Sequence, residues 1–130
     1  MKRLLLDTHV FLWWLSSKHY QLLGEATRNA IMSKRNEVYI SAASGWEISI
    51  KKTLRKLKAP DDIDSIVESE GFSRLPITLF HGEQAGQLPA HHNDPFDRML
   101  IAQAQAEGLT IVTNDSKFPV YGIQLMHAGS

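Results

Sequence analysis

The sequence predicts an α/β fold whose parallel sheet is covered by helices on both faces. Two observations lead to that class. Short apolar runs alternate with longer stretches of helical periodicity. Strands separated by helices in this way imply βαβ units, whose crossovers are right-handed almost without exception. In open sheets of this kind ligands bind at the carboxyl ends of the strands. The chain of 130 residues fits one domain, spanning 1–130.

The elements follow in order along the chain. Residues 3–6 (RLLL) read as a buried first strand ending at Asp7, and 9–15 (HVFLWWL) as a short apolar helix. Residues 22–34 form a second helix with Leu23, Ala26, Ala30 and Ile31 on its inner face. Residues 38–41 (VYIS) are the second strand, followed by a helix over 45–58 that opens with Ser44. A further helix covers 61–70 and ends at Gly71. Residues 73–77 (SRLPI) form a short strand that Pro76 pushes to a sheet edge. Residues 79–87 suggest a short helix, and 95–107 a strong one closed by Gly108. Strands at 109–113 (LTIVT) and 122–126 (GIQLM) complete the chain.

The composition removes several classes of function. There is no cysteine, so disulfides and thiolate metal sites are excluded. The N-terminus MKRLLLDTHVFLWWLSSKHY has early positive charges, yet Asp7 and His9 interrupt its apolar stretch after three leucines. No run approaches the ~20 residues a bilayer span requires. A cytoplasmic protein is expected. Fourteen basic and fourteen acidic side chains cancel, which argues against binding nucleic acid through overall charge. Charge is uneven locally: KKTLRKLK at 51–58 carries five positive charges and DDIDSIVESE at 61–70 five negative ones. These read as solvated helix faces, or, for the basic run, as a nucleic-acid contact.

Four acids gather attention. Asp7 follows the first strand directly, Glu47 opens the helix after the second, and Asp115 lies two residues past the fourth. Asp97 begins the helix that precedes that strand, so tertiary packing must bring it to the others. Each has a local explanation. Ser44 and Glu47 make a capping box. Asp94 is a good N-cap, Pro95 suits the first helical position, and Asp97 falls at the third. Asp115 could sit in an ordinary turn. Asp7 is the hardest to explain locally, because a desolvated, unpaired carboxylate costs several kcal/mol. Taken together, carboxylates at one sheet edge repel one another unless a cation sits among them. Oxygen donors without cysteine suit Mg²⁺ or Mn²⁺.

The segments LLLDTHVFLWWL, SAASGWEISIKK, LPAHHNDPFDRMLIAQA and GLTIVTNDSKF occur in the order found in PIN-domain proteins, and the chain resembles in particular the ribonuclease toxins of VapBC toxin–antitoxin modules. The resemblance spans nearly the whole chain. It departs from the pattern at Asn114, where relatives often carry arginine. It implies a three-layer α/β/α sandwich with a central, mostly parallel sheet, and an acidic pocket for one or two divalent ions. The family's acidic positions fall on Asp7, Glu47, Asp97 and Asp115, with Asp94 as a further acid and Thr113 as the small polar position after the fourth strand. RNA as substrate, a cognate antitoxin and a homodimer are also implied.

On that reading the metal polarises a phosphodiester and activates a water for in-line attack, leaving 5′-phosphate and 3′-hydroxyl ends. Asp7, Asp97 and Asp115 hold the ion, Glu47 is a ligand or supports one, and Thr8 and Thr113 orient carboxylates or water. Arg98 or the Lys51–Lys58 run contacts phosphates. His91 and His92 are expected to solvate the loop before the helix, and His9 to turn away from Asp7. Phe11, Trp13 and Leu15 are expected to help form a groove or dimer surface. Other chemistries fit less well. An aspartyl phosphatase needs a second aspartate where His9 stands, and a receiver domain needs paired acids after the first strand. A catalytically silent PIN-like binding module is the alternative that a loss of acids would have favoured.

Overall fold

The computed structural model describes residues 1–130. The strands are β1 (Arg3–Leu6), β2 (Glu37–Ser41), β3 (Ser73–Leu75), β4 (Thr110–Thr113) and β5 (Leu125–His127). The helices are α1 (Thr8–Leu15), α2 (Glu25–Met32), α3 (Ala42–Thr53), α4 (Ile63–Ser69), α5 (Leu79–Gln87) and α6 (Pro95–Glu107). The sheet is fully parallel in the order β3-β2-β1-β4-β5. β1 therefore lies at its centre, and β3 at an edge, as Pro76 requires.

Alternation along the strands builds a core on each face. Leu4 and Leu6 point into one core with Val10 and Phe11 of α1, Ile31 of α2 and Val67 of α4. Leu5 points into the other with Leu100, Ile101 and Ala104 of α6 and with Phe118. α3 contributes to both, through Ile48 and Ala43 respectively. α5 packs on α6, giving the α/β/α arrangement expected from the resemblance. No helix is long and apolar enough to cross a membrane.

The local rules set most boundaries, with some corrections. α6 begins and ends where expected, with Asp94 as N-cap, Pro95 at its start and Gly108 in the left-handed region at φ 68°. α2 is shorter than 22–34, and Ala26 is exposed. Its buried residues are Thr27 and Ile31, one turn apart, and Leu23 is buried just before the helix. α3 starts three residues earlier than predicted. Ser41, at the end of β2, is its cap and accepts from the Ala43 amide at 3.0 Å, so Ser44 lies inside the helix. α3 also ends at Thr53, so the basic run is one helix end followed by a turn rather than a continuous face.

The centre of the sheet tolerates no void, because Leu5 is fully buried between α6 and Phe118. Leu5→Ala should lower unfolding free energy by roughly 2–5 kcal/mol in urea titration. A loss below ~1 kcal/mol would contradict this packing.

Candidate functional site

In a parallel sheet each crossover leaves the carboxyl edge and returns to the amino edge. Two helices, α5 and α6, share the crossover from β3 to β4, and α5 packs against α6. The charges of Asp7 and Asp115 reach Asp97 in the first turn of α6, the tertiary packing that chain order alone left open.

Asp7 is 5 % exposed at the end of β1. One carboxylate oxygen caps α1, accepting from the Val10 amide at 2.8 Å. The other accepts from the Thr113 hydroxyl at 2.5 Å. The same hydroxyl accepts from the Asp115 amide at 3.0 Å, so Thr113 joins the ends of β1 and β4. Burial raises the Asp7 carboxyl above the usual carboxylate range, against the lowering effect of these two hydrogen bonds.

Glu47 is buried and is not a cap. It lies in the second turn of α3, where one oxygen accepts from Thr8 at 2.7 Å and the other from the Lys51 ammonium at 2.5 Å. Ser44, expected to open the helix, instead has its hydroxyl 2.9 Å from that of Thr8. The capping-box explanation of Glu47 is thereby removed.

Asp94 caps α6 as predicted, accepting from the Asp97 amide at 3.0 Å. Asp97 itself has no capping task. Its carboxyl is pushed from the ordinary 3.8 up to about 8, first by burial and then by the charges of Asp94, Glu47, Asp7 and Asp115. The charges of the four other acids therefore all reach Asp97, which the sequence could only suggest.

His92 is the residue that sequence reasoning misplaced. It is buried, not a solvating loop residue. Its Nδ1 accepts from the Asp94 amide at 3.3 Å, which leaves Nε2 carrying the proton. That Nε2 lies 2.9 Å from Asp97 Oδ2 and 3.2 Å from Asp115 Oδ2. His91 is exposed and rests edge-on against Tyr121. The signal for His92 was its place two residues before an N-cap, from which a ring can reach the cap's amide. His9, expected to turn away, lines a cleft with Asp7 and Asp115.

Arg98 does not serve phosphate either. Its guanidinium donates to the carbonyls of Pro89, His92, Ala85, Gly86 and Leu88, at 2.8 to 3.4 Å. It fastens the loop that carries His92 onto α6. In the basic run, Lys51 pairs with Glu47 and Lys52 with Asp61, whereas Arg55, Lys56 and Lys58 are exposed. Phe11 is fully buried, so only Trp13 and Leu15 of the expected surface trio are accessible.

The donor set fits a divalent ion. It is rich in carboxylate oxygen: Asp97 and Asp115 bring oxygens within 4.8 Å of one another and of His92 Nε2, which donates to both carboxylates and so positions them. Burial and the neighbouring charges keep Asp97 protonated, and a bound cation would relieve the repulsion.

The sign of the pH effect follows from Asp97. In the unfolded chain it ionises near 3.8, and in the folded chain near 8. Between these values the folded state binds the extra proton, so its stability falls as pH rises. In EDTA, the melting temperature should therefore drop from pH 5 to pH 8, and Asp97→Asn should flatten the decline and melt higher at pH 8. A variant whose profile parallels wild type would refute this electrostatic account.

Comparison with known proteins agrees with the fold. The chain is similar in structure to VapBC2 from Rickettsia felis bound to a promoter DNA fragment (TM-score 0.70, 19 % identity, covering 95 % of this chain and 97 % of that one). It is also similar to DNA-bound VapBC from Salmonella typhimurium (0.67, 23 %, 97 % and 98 %) and to FitAcB from Neisseria gonorrhoeae (0.63, 18 %, 96 % and 97 %). No curated protein sequence matches the chain significantly. The PIN domain description matches residues 4–123, from the first strand to the turn before the last. With that match and this topology, the chain belongs to the PIN-domain family.

Proposed function

We propose that the chain, as a single PIN domain over residues 1–130, is a Mg²⁺- or Mn²⁺-dependent endoribonuclease and the toxin of a VapBC-type pair. The observation that carries this reading is that Asp97 and Asp115 share one site with His92 and that the charges of Asp7, Glu47 and Asp94 also reach Asp97. The VapBC and FitAcB structures among the neighbours support an antitoxin partner, and the resemblance of the motifs adds a cytoplasmic toxin that forms a homodimer.

Asp7, Asp97 and Asp115 would hold the ion. A divalent ion there supplies Lewis-acid polarisation of a phosphodiester and a more acidic water. The chain's own groups do the rest. Val10 and Thr113 fix the Asp7 carboxylate, and Thr8 fixes Glu47. His92 holds Asp97 and Asp115 at a set separation. Lys51 places a positive charge near Asp94 and Asp97, which draws phosphate towards an otherwise repulsive patch. The exposed Arg55, Lys56 and Lys58 continue that charge past the end of α3 and suit the RNA backbone.

The test is RNA cleavage with Mg²⁺ or Mn²⁺ by wild type, Asp7→Asn and Asp97→Asn. Wild type should give 5′-phosphate and 3′-hydroxyl ends, EDTA should abolish cleavage, and each variant should lose more than roughly 100-fold. Variants as active as wild type, with EDTA inert, would sink the reading and leave a silent binding module.

A further inference from the structure

Beside the acids, Asp7, His9, Trp13, Asn114 and Asp115 enclose an open cleft of about 200 Å³. His9 and Trp13 lie one turn apart on α1, so both present their rings to the same side. The ring centroids are 6.5 Å apart and tilted by 47°. The neighbouring Trp14 is committed to the fold, donating its indole N–H to Glu70 at 2.7 Å. The Trp13 indole, the His9 ring and the exposed Asn114 amide make no such hydrogen bond within the chain.

The chemistry of this cleft is selective. No lysine or arginine lines it, and its floor is two carboxylates, so a phosphate would be repelled there. A flat, neutral group suits it better. The indole face offers stacking, and a free amide offers one donor and one acceptor edge to a partner of matching pattern. A guanidinium would also be drawn by the carboxylates, and the binding experiment below separates it from a base. Together these features describe a place for an unpaired nucleobase rather than for its phosphate.

We propose that Trp13 and Asn114 form a nucleobase subsite next to the carboxylates, Trp13 stacking on the base of a single-stranded RNA and Asn114 reading its edge. The assignment rests on the ribonuclease reading above. It makes Asn114, the position where the motif departs from its relatives, a determinant of which base is accepted.

Binding separates the two ideas. Fluorescently labelled short RNAs of A, C, G and U would be titrated by anisotropy in CaCl₂, with intact length checked on a gel. Wild type should rank the four bases. Trp13→Ala should weaken all of them by ~10-fold, and Trp13→Phe should restore most of that loss. Asn114→Ala, at an exposed position that leaves folding untouched, should narrow the ranking. Variants that bind and rank the RNAs as wild type does would overturn the subsite alone. Variants unchanged towards RNA but weakened for an oligo-arginine peptide would overturn it too, assigning the cleft to a peptide. Wild type that neither binds nor cuts any RNA would overturn the ribonuclease reading together with the subsite.

Discussion

Repulsion among like charges governs this end of the molecule. Five carboxyl groups converge where β1, β4, α3 and α6 meet, and burial strengthens their interaction. An uncompensated buried charge costs several kcal/mol, so each acid is individually placated. Asp7 has the Val10 amide and the Thr113 hydroxyl, Glu47 has Thr8 and Lys51, and Asp115 accepts from the Lys117 amide at 2.8 Å. Asp94 is satisfied by its capping bond. Asp97 has His92 Nε2 at 2.9 Å, yet burial and the surrounding acids hold it protonated. A fold selected for stability alone would replace it.

Rigidity is supplied from behind. Arg98, next to Asp97, draws in five backbone carbonyls and so fixes the approach to α6. Gln103, about a turn and a half further on, accepts from Ser41 at 2.6 Å and donates to Pro76 at 3.2 Å, locking α6 to the ends of β2 and β3. The buried stretch Leu100–Ala104 then ties the helix to the sheet. Carboxylates mounted this way cannot move apart to relieve their repulsion, which keeps the patch receptive to a cation.

Much of this was legible in the sequence. The alternation of apolar runs and helical periods gave the parallel sheet, and Asp94, Pro95 and Gly108 marked the limits of α6. Asp7, Glu47 and Asp115 were identifiable because the carboxyl edge of a parallel sheet is set by chain order, whereas Asp97 precedes its strand and was placed by the resemblance of the motifs. What was hidden depended on side chains choosing between two local options. Ser44 could have capped α3, but Ser41 stands at the end of β2 and did so first, which freed Ser44 for Thr8 and moved Glu47 into the second turn. Arg98 looked like a phosphate ligand because nothing in a sequence reveals a cluster of unpaired carbonyls at 85–92. His92 looked like a loop residue because its burial depends on Phe118, far along the chain, packing edge-on against its ring at 5.8 Å.

The central claim is that the acids form one electrostatic unit that a divalent ion completes. Thermal melting at pH 8 with increasing MnCl₂ tests it most directly. The account predicts a melting temperature that climbs with metal in wild type, since an ion that binds only the folded state stabilises it by mass action, and a much smaller climb in Asp97→Asn. A wild-type curve that stays flat up to millimolar Mn²⁺, or an equal climb in both proteins, would contradict it.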